Sequence, residues 1–165
     1  SEVPNPRHLA RRLRRLRRAN KALARKQPGS ANRAKAARQV AKIHLDVTHA
    51  RADFLHQLTT TLTRSNSAIV IEDLSVAGMV QGRRLARHIA DAGWAEFRRQ
   101  LQYKAAWYGT RLVVADRWYP STRTCHACGQ VNHDLTLADR RWTCPCGTVH
   151  DRDVTAAINL LNLAA

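Results

Sequence analysis

Residues 125–159 read C-H-A-C-G-Q-V-N-H-D-L-T-L-A-D-R-R-W-T-C-P-C-G-T-V-H-D-R-D-V-T-A-A-I-N, and this stretch decides how the chain folds. It contains two close cysteine pairs separated by 15 residues. Four thiolates brought together in this way can enclose a tetrahedral Zn²⁺ ion, so the stretch predicts a small zinc ribbon. Asp151 and Asp153 follow the second pair within a few residues, at the start of an alanine-rich helix. The ribbon is therefore expected directly ahead of a helix that carries carboxylates.

The four predicted zinc ligands are Cys125, Cys128, Cys144 and Cys146. The second pair is C-x-C, so its turn is one residue tighter than a C-x-x-C turn, and the nearby His126, His133 and His150 are possible substitute ligands. Disulfides and a thioredoxin-like redox pair are the competing interpretations. Disulfides fit poorly with a very basic chain that we expect in the cytoplasm, where thiols stay reduced. A redox pair would open a helix after a buried strand, and C-H-A-C does not.

The charge balance points to a polyanionic partner. The chain has 165 residues with 28 Lys and Arg against 12 Asp and Glu, which gives a net charge of +16. Such an excess repels itself unless phosphates neutralise it, so nucleic acid is the leading partner and a membrane surface is the second. No apolar run approaches the ~18–20 residues of a membrane-spanning helix. We expect a cytoplasmic, nucleoid-associated protein of a prokaryote.

The most basic segment is a predicted helix over residues 7–26, in which ten of twenty residues are Arg or Lys. Leu9, Leu13, Leu16 and Leu23 form one narrow apolar seam on it. The segment is either a solvated helix that needs a partner along this seam or a helix that follows phosphates, and its charge density favours the second interpretation. The residues predicted to bind nucleic acid are Arg11, Arg12, Arg14, Arg15, Arg18, Lys21, Arg25 and Lys26.

A second helix is predicted over residues 31–64, with Ser30 as its N-cap. Its apolar residues recur every three or four positions, so the two helices are expected to form an antiparallel hairpin. Residues 67–73 then read as a strand covered on both faces. Glu72 comes where that strand emerges, which suits either a ligand-binding carboxylate or an edge acid paired with an arginine.

The remaining elements are predicted in sequence order. We expect a basic loop over residues 74–90, an amphipathic helix over 93–109 with Gly109 as its stop, a second buried strand over 111–116 and a final helix over 151–163. The apolar face of the amphipathic helix is expected to exclude Lys104 and to comprise Trp94, Phe97, Leu101, Ala105 and Tyr108. Two strands make a sheet that is marginal in water, so an upstream segment, a second chain or an oligomer should complete it.

Five motifs carry a resemblance to a known family. They are N-P-R-H-L at 5–9, I-E-D-L-S-V-A-G-M at 71–79, W-A-E-F-R-R-Q-L-Q-Y-K-A at 94–105, P-S-T-R-T-C-H-A-C-G at 120–129 and H-D-R-D-V-T-A-A-I-N-L-L at 150–161. In this order and with these gaps the chain resembles the C-terminal half of TnpB proteins, which are transposon-encoded RNA-guided DNA nucleases related to type V CRISPR effectors. The resemblance covers essentially the whole chain.

The resemblance implies an α/β fold class: a partial RNase H-like (RuvC) fold without its first strands, with a basic helical hairpin and an inserted zinc ribbon. In that family three acids hold two Mg²⁺ or Mn²⁺ ions. By resemblance, Glu72 is the second acid and Asp153 the third, with Asp151 as the weaker alternative for the third. Asp73 should point to the opposite face of its strand, and Asp151 should sit on the cap of the final helix. Thr155 stands where the family usually has Asn.

The first acid of the family has no counterpart here, because it sits on an opening strand and the Asp residues within 1–66 fall in the second helix. The implied domains are a basic hairpin over 1–66, a nuclease portion over 67–118 and 150–165, and a zinc-ribbon insert over 119–149. Guide RNA and target DNA are the implied partners. We expect a DNA endonuclease that is inactive until the missing strands are supplied. The alternatives are a nuclease-dead RNA- or DNA-binding relative and an unrelated basic zinc-ribbon protein.

Overall fold

The computed structural model describes residues 3–82, 85–136 and 138–164. Six helices and four strands lie in these ranges. In chain order they are α1 (His8–Ala24), α2 (Ala31–Ser65), β1 (Ala68–Glu72), α3 (Val76–Gln81), α4 (Ala86–Ala92), α5 (Trp94–Tyr108), β2 (Arg111–Ala115), β3 (Arg141–Thr143), β4 (Val149–Asp151) and α6 (Arg152–Asn162). None of these helices combines the length and the apolar character that crossing a membrane requires.

The chain divides into two compact units. We call Ser1–Thr61 with Ser75–Gln100 the helical unit, and Leu62–Leu74 with Leu101–Ala165 the sheet unit. The boundaries fall inside α2 and α5, so two continuous helices each contribute to both units.

In the helical unit, α1 and α2 form the predicted antiparallel hairpin. Arg33 near the start of α2 donates to the backbone oxygens of Leu23 and Lys26 at the end of α1, whereas the ring of His8 at the start of α1 contacts Phe54 far along α2. The leucine seam of α1 is confirmed: Leu16 is buried, and the other seam residues are half-buried. Ser30 begins α2 as predicted, since its Oγ accepts from the backbone N–H of Arg33 at 3.2 Å.

The first turn of α1 is capped from a distant part of the sequence. No acid lies in that turn, so its free N–H groups need an acceptor from elsewhere. Asp91 of α4 supplies it: both carboxylate oxygens accept from the backbone N–H of Leu9, at 3.1 and 3.0 Å. Arg51 of α2 completes the contact with a 2.8 Å ion pair to the same carboxylate and a 3.0 Å hydrogen bond to its backbone oxygen. Asp91 therefore joins three helices of the helical unit.

The pKa of Asp91 reflects this environment. Burial would raise it, but the hydrogen bonds from Arg51 and from the backbone N–H of Leu9 outweigh burial and hold the pKa below its ordinary value. The carboxylate is 5% exposed and ionised at neutral pH.

The predicted loop over residues 74–90 is wrong for most of its length. It contains α3 and the first part of α4, although Arg83 and Arg84 lie outside the described residues. The prediction gave too much weight to Gly78 and Gly82. Gly78 lies inside α3, where a glycine costs only ~1 kcal/mol, and Gly82 is the C-cap of α3, so neither glycine prevents the helix.

In the sheet unit, β1 and β2 pair in parallel, with Glu72 opposite Ala115 at the end of the register. The helical segments between them make a crossover connection, as a parallel pair requires. Both predicted strands are confirmed, but they are only half-buried rather than covered on both faces. Among the described residues this sheet has two strands.

Helix α5 ends at Tyr108, and Gly109 follows with a left-handed φ of 71°, which is the predicted stop. Its apolar face is partly as expected, since Leu101 and Ala105 are buried. Lys104, which was expected off that face, is also buried. Burial lowers the pKa of Lys104 because it disfavours the charged ammonium.

We predict that Asp91→Asn destabilises the protein by roughly 2–3 kcal/mol, because it leaves the Arg51 guanidinium half-buried without its counter-charge and weakens the cap of α1. Since the folded-state pKa of Asp91 is lowered, its contribution is present above the unfolded-state value of about 4 and is lost as the pH falls through the folded-state value. The difference between the two proteins should therefore shrink on acidification. Urea titrations followed by circular dichroism measure it.

Asp53→Asn is the matched control, because Asp53 is an exposed acid of α2 whose side chain accepts a hydrogen bond from Gln57 one turn on. That change should cost less than about 0.5 kcal/mol. Equal losses in both variants would contradict the role assigned to Asp91.

Candidate functional site

The four predicted cysteine ligands lie together in the sheet unit. Their sulfur atoms are all within 4.8 Å of one another, with Cys125 Sγ 3.7 Å from Cys146 Sγ and Cys128 Sγ 3.6 Å from Cys144 Sγ. Zn–S bonds of about 2.3 Å would put the sulfur atoms of a regular tetrahedron about 3.8 Å apart. The observed spacing therefore fits a four-coordinate metal, and none of the six possible pairs is drawn in to the length of a disulfide.

Two turns bring the cysteines together. In the first, the N–H of Gly129 donates to the oxygen of Cys125 at 2.8 Å; in the second, the N–H of Gly147 donates to the oxygen of Cys144 at 2.8 Å. The second turn is one residue shorter, as its C-x-C spacing predicts. Both glycines have a left-handed φ, 79° and 88°, which a side chain would disfavour. The shorter turn thus still presents both of its sulfur atoms to the cluster.

The thiols differ strongly in acidity. Hydrogen bonds from the hydroxyl and backbone of Thr148 lower the pKa of Cys146 to about 6. The backbone N–H of Cys146 lowers the pKa of Cys144, but burial and the three neighbouring thiols outweigh it and raise that pKa to about 12. Ionisation of one thiol therefore makes ionisation of its neighbours less favourable. A divalent cation stabilises several thiolates at this spacing.

The histidines considered as substitute ligands do not join the sulfur cluster. His126 and His133 are exposed. His150, on β4, is 1% exposed and places its Nε2 3.2 Å from Cys125 Sγ and its Nδ1 3.1 Å from Thr155 Oγ1. Its ring stacks on Trp142 of β3. Burial, with a smaller effect of His126, lowers the pKa of His150, so its ring is neutral at physiological pH.

Glu72 ends β1 with an exposed carboxylate. Its Oε1 accepts a 3.3 Å hydrogen bond from the hydroxyl of Ser121, and within the described residues no arginine or lysine pairs with it. The sequence left open that Glu72 is an edge acid paired with an arginine. The next residue, Asp73, has such a partner instead: it forms a 2.8 Å ion pair with Arg117, which also donates to the backbone oxygen of Asp73. Glu72 is thus an accessible acid at this edge of the sheet.

Asp153 lies in the first turn of α6 and is 78% exposed, with Arg140 at 3.5 Å. Asp151 has a different position. It is the N-cap of α6, and its Oδ1 accepts from the backbone N–H groups of Asp153 and Val154. A carboxylate committed to capping has less capacity for a metal, so Asp153 is the better candidate of the two for the third acid.

The segment that leads from β2 to the first cysteine turn is hydrogen-bonded to α6 by a residue that sequence reasoning missed. Asn159 is 3% exposed, and its side-chain amide donates to the backbone oxygens of Ser121, at 2.7 Å, and Thr124, at 2.8 Å. Because the Ser121 hydroxyl bonds Glu72, this segment links the end of β1 to α6. An amide within an otherwise apolar helical run was the signal that could have identified it.

The four cysteines are the single group of three or more potential metal ligands that come together within the described ranges. Glu72 and Asp153 thus form no complete acidic cluster there.

The basic residues of α1 form a continuous solvated surface in the helical unit. Seven of the eight residues predicted to bind nucleic acid are exposed, and Arg12 is half-buried. The cationic groups can therefore follow a phosphate backbone while the leucine seam stays packed.

Family models match both halves of the chain. Residues 1–83 match the model described as "Probable transposase" (OrfB_IS605), and residues 94–160 match the one described as "Cas12f1-like, TNB domain". The first of these matches spans half of the chain and defines its class, a probable transposase of the OrfB_IS605 type. More particularly, the chain belongs to the family of TnpB proteins.

Curated relatives carry the name "Putative RNA-guided DNA endonuclease". One from Streptomyces pristinaespiralis is 52% identical over 160 residues, covering 97% of this chain and 40% of the relative. One from Mycobacterium tuberculosis is 43% identical, covering 96% and 36%. The Escherichia coli protein with the added name InsQ is 34% identical, covering 88% and 40%. The chain spans about 40% of the length of the relatives it matches.

A solved structure has a similar fold. The cryo-EM structure of a Cas12f1–sgRNA–target DNA complex matches with a TM-score of 0.61 and 16% identity, covering 95% of this chain and 42% of that one. This likeness agrees with the mixed α/β fold class predicted from the sequence.

Proposed function

We propose that this chain is the C-terminal, catalytic portion of an RNA-guided DNA endonuclease with a RuvC-like fold. The observation that carries the proposal is Glu72, an accessible carboxylate at the carboxyl end of a parallel strand, joined through Ser121 and Asn159 to the helix that bears Asp153. A strand end and a helix start are two places from which distant residues can converge on one phosphate.

Glu72 and Asp153 are proposed to hold catalytic Mg²⁺ or Mn²⁺, because hard carboxylate oxygens suit these ions. Two such ions supply an activated water and stabilise the leaving oxygen in phosphodiester hydrolysis. Both residues fit this role: each carboxylate is exposed, and the Arg140 contact of Asp153 is between two solvated groups and is therefore weak. Asp73 and Asp151 are already engaged, by Arg117 and by the cap of α6.

The first acid of the site is proposed to come from polypeptide outside these 165 residues, together with strands that extend the β1–β2 pair. Support comes from the sheet itself, since two half-buried parallel strands make a marginal unit. The nuclease portion is proposed to comprise 67–118 and 150–165.

One structural Zn²⁺ is proposed for the four cysteines of the 119–149 insert, on the strength of their sulfur–sulfur distances. Guide RNA and target DNA are the proposed partners of the basic hairpin over 1–66. The support is the exposed cationic surface of α1 and the solved structure of similar fold, which is a complex of Cas12f1 with sgRNA and target DNA. A nuclease-dead member that binds the same nucleic acids is the alternative that the first experiment below separates.

Glu72→Gln should abolish Mg²⁺-dependent cleavage of guide-matched DNA, by at least ~10³-fold, while leaving affinity for guide RNA and target DNA within about twofold. The substitution keeps the size of the side chain and removes the charge that holds the metal. The assay uses the full-length protein with its guide RNA, in single-turnover cleavage and filter binding.

Asp134→Asn is the matched control for this assay, since it neutralises an exposed ribbon acid and should cut normally. Wild-type protein that binds but never cuts would favour the nuclease-dead alternative. Cleavage retained by Glu72→Gln would exclude Glu72 as a metal ligand.

Replacing Arg14, Arg15 and Arg18 with glutamine should weaken nucleic-acid binding and flatten its dependence on salt. Each lost phosphate contact lowers the slope of log K against log[salt] by about 0.9 with duplex DNA. Glutamine preserves helix propensity, so the fold should persist. The charge-preserving triple lysine variant is the control, and an unchanged slope in the glutamine variant would remove α1 from the binding surface.

The purified chain should hold one equivalent of Zn²⁺, and a strong chelator should unfold the ribbon while α1 and α2 persist. Atomic absorption gives the stoichiometry, and amide exchange localises the unfolding. Cys144→Ser should lose the metal, whereas Thr143→Ser, beside it and exposed, should keep it. Stoichiometric disulfide in freshly reduced protein would contradict a zinc site.

A further inference from the structure

His150 is a buried polar residue that the proposed chemistry leaves unused. It lies on β4, which runs directly into α6, and its two ring nitrogens contact two different parts of the sheet unit. Nε2 is 3.2 Å from the sulfur of Cys125 in the first cysteine turn, and Nδ1 is 3.1 Å from the hydroxyl of Thr155 in α6. Both His150 and Thr155 are 1% exposed, so water does not compete for these hydrogen bonds.

The chemistry of the sulfur atom fixes the direction of the first of these hydrogen bonds. A metal-bound cysteine is a thiolate and has no proton to give, so Nε2–H must donate to Cys125 Sγ. In the neutral ring Nδ1 then carries the lone pair, and it accepts from the Thr155 hydroxyl. One neutral tautomer therefore gives both ring nitrogens of His150 a hydrogen-bond partner. Stacking on Trp142, with ring centroids 4.2 Å apart, holds the ring in the plane that both contacts need.

We propose that His150 is a positioning residue that connects the cysteine site to the start of α6 through the hydrogen-bonded series Cys125–His150–Thr155. The proposal rests on the zinc assignment made above. It gives Thr155 a specific role, that of donor to a histidine that supports the metal ligand. Partners of this kind orient a ligand and raise its affinity for the metal.

The position of Thr155 extends the connection to the acid at the beginning of the helix. Asp153 lies two residues before Thr155, in the same first turns of α6. A cap fixes where a helix begins, and Asp151 does this for α6, but a cap alone leaves the rotation of the helix free to vary. The buried contact at Thr155 constrains that rotation. Metal binding in the ribbon and the orientation of Asp153 are therefore coupled, although Asp153 is no ligand of that metal.

The experiment measures Zn²⁺ affinity by chelator competition for the 165-residue chain and three variants. His150→Phe keeps the stack on Trp142 and loses both hydrogen bonds, so its affinity should fall about 10- to 100-fold. Thr155→Val keeps the shape of the side chain and loses the hydroxyl; its affinity should fall less, by about two- to tenfold. His133→Phe is the control, because His133 is an exposed ribbon histidine, and its affinity should stay within about twofold.

Amide exchange tests the connection to α6. In the wild type, adding Zn²⁺ should increase protection of the Asp153 and Val154 amides as well as those of the ribbon. In Thr155→Val the added protection should be confined to the ribbon, while Thr155→Ser, which keeps the hydroxyl, should restore it in α6. Equal protection of α6 in all three proteins would overturn the coupling.

The tautomer gives a readout that does not depend on variants folding. In ¹⁵N spectra of the zinc-loaded wild type, His150 should have a protonated Nε2 and an unprotonated Nδ1. The opposite tautomer, or an unchanged affinity in folded His150→Phe, would overturn the proposal. None of these measurements uses nuclease activity. A protein that never cuts DNA but passes them would refute the proposed function alone, and failure to bind zinc at all would refute the zinc assignment.

Discussion

The mutual contact of four sulfur atoms is the constraint on which the sheet unit depends. Two turns of different length and the β3–β4 hairpin meet at these atoms, and their own apolar core is small, consisting mainly of Cys125, Trp142 and Cys144 with Leu135 against them. A core of this size cannot hold the 31-residue insert over 119–149 by burial alone, since regions this short normally need a metal or disulfides. The entry to α6 follows β4 without a break, so whatever fixes the sulfur atoms also fixes the beginning of that helix.

The sequence was informative wherever a local rule decides the structure. Ser30, Gly109 and Asp151 mark helix ends through their own hydrogen bonds or backbone angle, and each was predicted correctly. The cysteine cluster was also predictable, because close pairs leave few alternatives. Positions decided by distant contacts were not. Asp91 lies 82 residues from the N–H group that it caps, and Lys104 is buried although its type and its place in the helical pattern indicated exposure.

Apolar surface remains uncovered in the sheet unit. Val114 of β2 is exposed, and Val154 and Leu161 of α6 are exposed seven residues apart, on one face of the helix. The proposed nuclease site needs an acid beyond Glu72 and Asp153, and a parallel pair of strands is normally flanked by neighbours. The relatives are more than twice as long as this chain, so both requirements can be met within a protein of their length. That is why sequence reasoning could indicate Glu72 and Asp153 as candidate acids without completing the site.

The bond between Asp91 and the first turn of α1 has a consequence for how members of this family can exchange parts. In the linear sequence the hairpin reads as a separate segment. However, Asp91, which caps α1, comes after β1 in the chain, and Arg51, which forms an ion pair with Asp91, lies in α2. A hairpin transplanted between homologues would bring Arg51 with it in α2 but would arrive with an open end unless Asp91 travelled with it or was matched in the recipient. Recombination that respects this pair, rather than the visible helix boundaries, should yield the chimaeras that fold.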